Sequence, residues 1–226
     1  MAEVFINAIN LLTSFDKEVY QIILLSLIVS LSSTGISTII AVPLGILLGN
    51  INFPLKRIVV RILYTFMSLP PVIVGLVVFL LLSRKGPLGY LELNYTPLAM
   101  IIAQTILIIP IIMGIVYNRT KEDGKNIMNV GKTLGANYFQ RGLLIVRELR
   151  IPIFVAIITG YGRAVSEVGA VMIVGGNIKG HTRVMTTSIA MLKSMGDYEM
   201  AIAIGIVLLV ISFIVNGVLY HFQGEE

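Results

Sequence analysis

The chain has 226 residues, 56% of them hydrophobic and only 13% charged, with a formal net charge of +5. A water-soluble domain carries about 25% charged residues, so this composition excludes an ordinary soluble fold and points to an all-α protein solvated by lipid. There is no cysteine, and the two histidines, His181 and His221, lie far apart; a disulfide framework, a thiol nucleophile and a His-based metal site are therefore not expected.

Residues 1–18 contain an acidic residue where a signal peptide has basic ones, and no small-residue cleavage site. Val4, Phe5, Ile9, Leu11 and Leu12 are compatible with a short interfacial helix or with a frayed tail. A spanning helix needs about 20 mostly apolar residues, and five stretches qualify: 22–48, 63–82, 98–117, 151–174 and 200–220. Helix is the expected form, because open strands leave backbone groups unpaired in hydrocarbon. The first stretch is rich in Ser, Thr and Gly. Its Gly45 and Gly49 suit a close helix contact, and Pro43 lies near its end. The second contains Pro70-Pro71, which kinks or interrupts it; with Gly75 these residues form either a broken segment near a gate or a plain kink. The third contains Pro110.

Residues 118–150 join the third and fourth stretches. A connection this long is usually functional or disordered. Gly124 and Asn126 suggest a turn near its start, followed by helix, a glycine-containing turn, and helix again. Leu134, Phe139, Leu143, Leu144 and Val146 give this segment an apolar face that requires a packing partner. Gly131-Lys132-Thr133 spells the end of a phosphate-binding loop, but the glycine needed five positions earlier is Asn126, so nucleotide binding is not expected here.

The fourth stretch holds the charged pair Arg163 and Glu167. Four residues apart, they fall on one face of a helix, and charges in a span face an interior or a pathway. Two roles stay open: an ion pair that positions helices, or an Arg163 that lines a route and offsets an anion. In the second case Ser166, Asn177, Thr182, Thr186 and Thr187 offer hydrogen-bond donors to oxyanion oxygens. Residues 200–220 are the fifth stretch, and 221–226 form a tail. Ten Lys and Arg lie in the loops after the first and third stretches, against six on the other side. The positive-inside rule then places the N-terminus outside and the C-terminus in the cytoplasm. The basic residues read as topology signals rather than a nucleic-acid surface.

Val130-Gly131-Lys132-Thr133-Leu134-Gly135-Ala136, followed by an apolar helix and Ile151-Pro152, resembles the coupling loop of type-1 ABC importer permeases. Leu134, Gly135, Ala136 and Pro152 match that pattern. Asn129 stands where the family has Glu, Val130-Gly131 replace Ala-Ala, and Glu148 takes the place of a common proline. Ser68 to Gly75 and Arg84 to Gly89 resemble the second span of molybdate, tungstate and sulfate permeases. Arg163 to Ala170 and Gly175-Gly176-Asn177 resemble the fourth, and the run from Ser166 to Thr187 is most similar to the tungstate branch.

The resemblance covers roughly residues 22–217. It implies the type-1 ABC importer permease fold of about five transmembrane helices with a cytoplasmic coupling helix. It also implies a homodimer in the plasma membrane, two cytoplasmic ATP-binding subunits and an extracytoplasmic substrate-binding protein. The chain itself is then no enzyme and holds no cofactor; ATP and Mg²⁺ belong to the partner ATPase. Asn129, Gly131, Leu134, Gly135 and Ala136 are the expected contacts to that ATPase. Pro70, Pro71, Arg163, Ser166, Glu167, Asn177 and Thr186 are the expected pathway or gate residues. The implied function is import of an oxyanion, tungstate first, with molybdate or sulfate as alternatives. A secondary transporter would show internal repeats, and the two halves share none. An intramembrane enzyme would need a nucleophile and base, paired carboxylates or a metal cluster, yet Glu167 is the only carboxylate in a span.

Overall fold

A computed structural model describes residues 2–223, and side-chain surroundings for residues 6–222. Residues 224–226 of the expected tail, and the side chains of Val4 and Phe5, lie outside the described part. Among the described residues every regular element is helical. The N-terminal segment forms helix α1 (Ala2–Thr13), which packs on the last helix; Asn7 donates a hydrogen bond to Glu199 at 2.8 Å.

Helix α2 (Lys17–Asn50) begins where the Asp16 carboxylate accepts from the backbone N–H of Glu18 and Val19, and it runs through Pro43 without a break. At 34 residues it is about 51 Å long, more than a bilayer's hydrocarbon thickness. Its partner is α5 (Pro97–Thr133), 37 residues long and continuous through Pro110. Small side chains recur every three or four residues along α2, Ser26, Ser30, Ser33, Ser37, Ala41, Gly45 and Gly49, all buried. Ser33 and Ser37 donate to Gln104 and to the Thr105 carbonyl of α5, while Ser26 accepts from the Met185 backbone N–H. In lipid, association gains little from hydrophobicity, so close backbone approach and interhelical hydrogen bonds carry it. A Cβ on Gly49 would lie 2.6 Å from the Thr120 side chain, and one on Gly45 2.9 Å from Val116.

The turn expected at Gly124 and Asn126 is absent; α5 passes through both. Gly124 is instead buried against α2, where an added Cβ would meet Asn50 Oδ1 at 2.6 Å. This glycine serves close approach, not a turn.

The second apolar stretch is two helices, α3 (Lys56–Met67) and α4 (Pro71–Leu82), bent by 99°. Pro70 and Pro71 supply the break. The fourth stretch is also divided, into α7 (Arg150–Val165) and α8 (Gly169–Gly175), bent by 57°. Each of α4 and α8 is too short to cross about 30 Å of hydrocarbon alone. By length and composition, α2, α5 and α10 (Tyr198–Gln223) can each span a membrane, and the bent pairs bring the number to five. Between these lie α6 (Tyr138–Glu148) and α9 (Met185–Met195).

Four apolar clusters hold the bundle, the smallest being Leu48 of α2 with Leu63 of α3 and Tyr117 of α5. Val74 and Val78 of α4 meet Met100 and Ala103 of α5 and Val171 and Val174 of α8. Ile108, Ile112 and Val116 of α5 meet Ile145 of α6 and Ile153 of α7. Val19 and Ile22 of α2 meet Met185 and Leu192 of α9 and Ile204 of α10. The outward faces are apolar too: Leu209, Phe213 and Ile214 of α10 are well exposed. A protein surrounded by lipid has no reason to bury them.

Candidate translocation site and coupling hairpin

The two helix breaks meet. An added Cβ on Gly75, one turn into α4, would lie 2.7 Å from Ala170 Cα at the start of α8. One on Gly169 would lie 2.9 Å from the Val72 side chain. Pro70 and Pro71 therefore sit beside the segment Ser166–Val168, with Pro70 exposed and Pro71 half-buried.

At that junction Arg163 Nη2 lies 3.3 Å from Glu167 Oε2. The two residues are not on one continuous helix, because α7 ends at Val165. The contact survives because the chain keeps turning: Ser166 and Glu167 donate backbone N–H bonds to Gly162 and Ala164. Glu167 is buried, and its other oxygen accepts from the Ala170 backbone N–H at 3.1 Å. One carboxylate thus joins the end of α7 to the start of α8. Burial of such a group is tolerated because both oxygens have partners. The Arg163 side chain is 39% exposed while that of Glu167 is 3% exposed. The guanidinium faces outward from the chain, and its counter-ion anchors it from within.

The remaining polar residues divide. Ser166 is exposed, with its hydroxyl near the Gly162 and Arg163 carbonyls. Thr186 is buried and donates to the Glu167 carbonyl at 2.8 Å, holding the break from the α9 side. Asn177 does not join them. Its backbone is left-handed (φ 52°), and its amide accepts from Thr187 Oγ1 and faces Met191 Sδ. Thr182 donates to the Gly175 carbonyl and accepts from the Ile178 N–H. Thr182 and Thr187 are fully buried. These hydroxyls knit the α8–α9 connection.

Gln104 was missed. It is buried at mid-bundle on α5, accepts from Ser33 Oγ at 2.9 Å, and donates to the Ala164 carbonyl at 3.0 Å. It ties α2, α5 and the end of α7 together just before the break. Ser26, Ser30, Gln104, Glu167 and Thr186 line one void of about 10 Å³. The available signal was a lone amide in an apolar span, which must find partners inside the protein.

At the other end, α5 closes in a tight helical hairpin. Ala136 N–H donates to the Gly131 carbonyl, Gly135 N–H donates to the Lys132 carbonyl, and Gly135 has φ +75°. This is a Schellman-type ending, and it requires a residue that tolerates the left-handed region. Asn137 and Gln140 then form a capping box that starts α6. Gly131 lets α6 approach, since a Cβ there would lie 2.9 Å from Arg141 Cγ. The turn is held by these hydrogen bonds, yet several apolar side chains around it are uncovered: Leu134 is 79% exposed and Phe139 80%. Tyr138, Leu143, Val130 and Asn129 are exposed beside them. Gly131-Lys132-Thr133 are simply the last turn of α5, with no strand before them.

Comparison with known proteins agrees with this architecture. Residues 41–224 match the family described as binding-protein-dependent transport system inner membrane component. The chain is 57% identical over 225 residues to the tungstate uptake system permease protein TupB of Peptoclostridium acidaminophilum, covering 100% of this chain and 99% of the relative. It is 38% identical over 205 residues to a probable anion ABC transporter permease protein of Haloferax volcanii, covering 88% of each. It is 36% identical over 212 residues to TupB of Campylobacter jejuni, covering 94% of this chain and 89% of the relative. The chain is therefore a multi-pass membrane permease belonging to the family of inner membrane components of binding-protein-dependent ABC transport systems.

Proposed function

We propose that this protein is the pore subunit of a tungstate importer. It works as a homodimer in the plasma membrane, with its N-terminus outside and its C-terminus in the cytoplasm. Two cytoplasmic ATPase subunits bind ATP and Mg²⁺, and an extracytoplasmic binding protein delivers the anion. The observation that carries the cargo assignment is the 57% identity, along essentially the whole of both chains, to a permease named for tungstate uptake.

The geometry supports a mechanical role. The hairpin from Asn129 to Leu143 offers exposed Leu134 and Phe139 to a cleft on the ATPase, with Gly131, Gly135 and Ala136 shaping the turn. Helix α5 extends from that hairpin as one rod of about 55 Å. Gln104 lies along it and holds the α7 end by hydrogen bond. Movement of the hairpin is thereby delivered to the breaks at Pro70-Pro71 and Ser166–Val168, where α4 and α8 shift as rigid pieces. Arg163 meets the passing anion, with Ser166 beside it. Glu167 and Thr186 keep Arg163 in place, and Asn177 stabilises the α8–α9 connection. Pro70 and Pro71 form the gate segment. A single chain of up to five spans lines half a pore, which is why two copies are needed.

The test is reconstitution of the chain with its ATPase and binding protein in proteoliposomes, measuring ATP-driven uptake of tungstate, molybdate and sulfate. Tungstate is expected to be taken up fastest. Faster uptake of sulfate would overturn the cargo assignment.

A further inference from the structure

At the end of the bundle remote from the hairpin, a cavity of about 500 Å³ opens between the first turns of α2 and the loop joining α8 to α9. Its wall changes character along its length. One end holds Lys17, Lys179, His181 and Arg183; the other holds Leu24 and Ile28. Two carboxylates face the basic end, and both are engaged. Asp16 caps α2 through the Glu18 and Val19 N–H groups. Glu18 lies 2.6 Å from Lys179 Nζ and 3.3 Å from Arg183 Nη1. Three cations against two carboxylates leave a net positive rim, before His181 is counted. The Arg183 Nε–H is buried with no partner.

From Lys17 to Ile28 is about 16 Å along the helix axis. That is the distance from the headgroup layer into the acyl region of a bilayer. Below the cavity, Leu24, Ile28 and Leu31 form one exposed apolar stripe on α2. A small oxyanion has no use for the apolar half, and a water-borne protein does not reach Ile28. We infer that this cavity binds an anionic phospholipid, its phosphate among Lys17, Lys179 and Arg183 and one acyl chain along Leu24, Ile28 and Leu31. The bound lipid bridges α2 to the α8–α9 loop. This site is independent of the cargo and of the coupling hairpin.

The test uses the full-length chain in detergent, titrated with phosphatidylglycerol, phosphatidylcholine or inorganic phosphate, and followed by native mass spectrometry and thermal unfolding. Phosphatidylglycerol is expected to remain bound and to raise Tm, while the other two do neither. Removing each surface lysine should weaken phosphatidylglycerol binding about five-fold. Lys17→Gln reads this at an exposed position where folding is not at risk, and Lys179→Arg should retain the affinity that Lys179→Gln loses. Leu24→Gln should weaken binding with charge unchanged. Protection by inorganic phosphate equal to that by phosphatidylglycerol would assign the cavity to a free oxyanion and overturn the proposal. Equal binding of phosphatidylcholine would overturn it as well. The chain contains no cysteine, so Ile28→Cys provides a unique thiol. High-yield crosslinking between two copies at that thiol in a bilayer would show the stripe covered by a second copy, and would also overturn the lipid assignment.

Discussion

The Arg163–Glu167 pair illustrates what single residues contribute. Glu167 has three engagements: the guanidinium, the Ala170 N–H, and Thr186 Oγ1 on its carbonyl. Glu167→Gln keeps the shape but loses the charge that orients Arg163. We expect it to assemble normally and to transport slowly, and Arg163→Ala to do the same; dimer assembly by light scattering, alongside uptake, checks both. If either variant failed to dimerise while retained material transported normally, the pair would be a structural tie only. Gln104→Leu should lower stability by about 1–3 kcal/mol, because the Ala164 carbonyl and Ser33 lose a buried partner; thermal unfolding in detergent measures it. The spacing of Arg163 and Glu167 was legible in the sequence, although the helix expected to join them ends first. The roles of Thr182, Thr187 and Asn177 were not. A hydroxyl in a sequence carries no sign of whether it will face an anion or a neighbouring carbonyl, and here the irregular α8–α9 backbone supplies the carbonyls.

At the level of elements, hydropathy made the apolar stretches visible but not their interruptions. Pro70-Pro71 announced the first break. Nothing comparable marks Ser166–Val168, where no proline occurs and a buried side chain, Glu167, starts the next helix. Gly124 misled in the opposite direction. Helix propensity counts a glycine against the helix, but in a membrane bundle the gain from close approach to α2 outweighs it. The same logic separates the glycines of α2. Gly49→Val places atoms against Thr120 and should cost about 1–3 kcal/mol through overpacking. Gly35 has open space around it, so Gly35→Ala should be neutral or stabilising by about 0.5–1 kcal/mol. Tm values of the two variants compared with the parent decide this. A Gly49→Val protein as stable as the parent would mean that the helices pack less closely than the structure shows.

For the whole molecule, the distribution of uncovered surface is the informative feature. Apolar side chains on α10 are explained by lipid. Those on the hairpin are, in the proposed function, the surface that the ATPase covers. A rigid turn at Gly135, set at the end of a single long helix and studded with exposed Leu134, Phe139 and Leu143, is a surface that moves as one body when gripped. Substituting Gly135 with a bulky β-branched residue forces a left-handed backbone on a side chain that resists it, at about 1–2 kcal/mol. The expected outcome is ATP hydrolysis that continues while uptake falls.

The most direct measurement is concentrative tungstate uptake into proteoliposomes holding this chain, with a binding protein supplied outside, in the presence and absence of the companion ATPase and ATP. The proposed function predicts accumulation only when ATPase and ATP are both present, and its loss in the Gly135 variant. Accumulation against a gradient by this polypeptide without the ATPase would contradict the account.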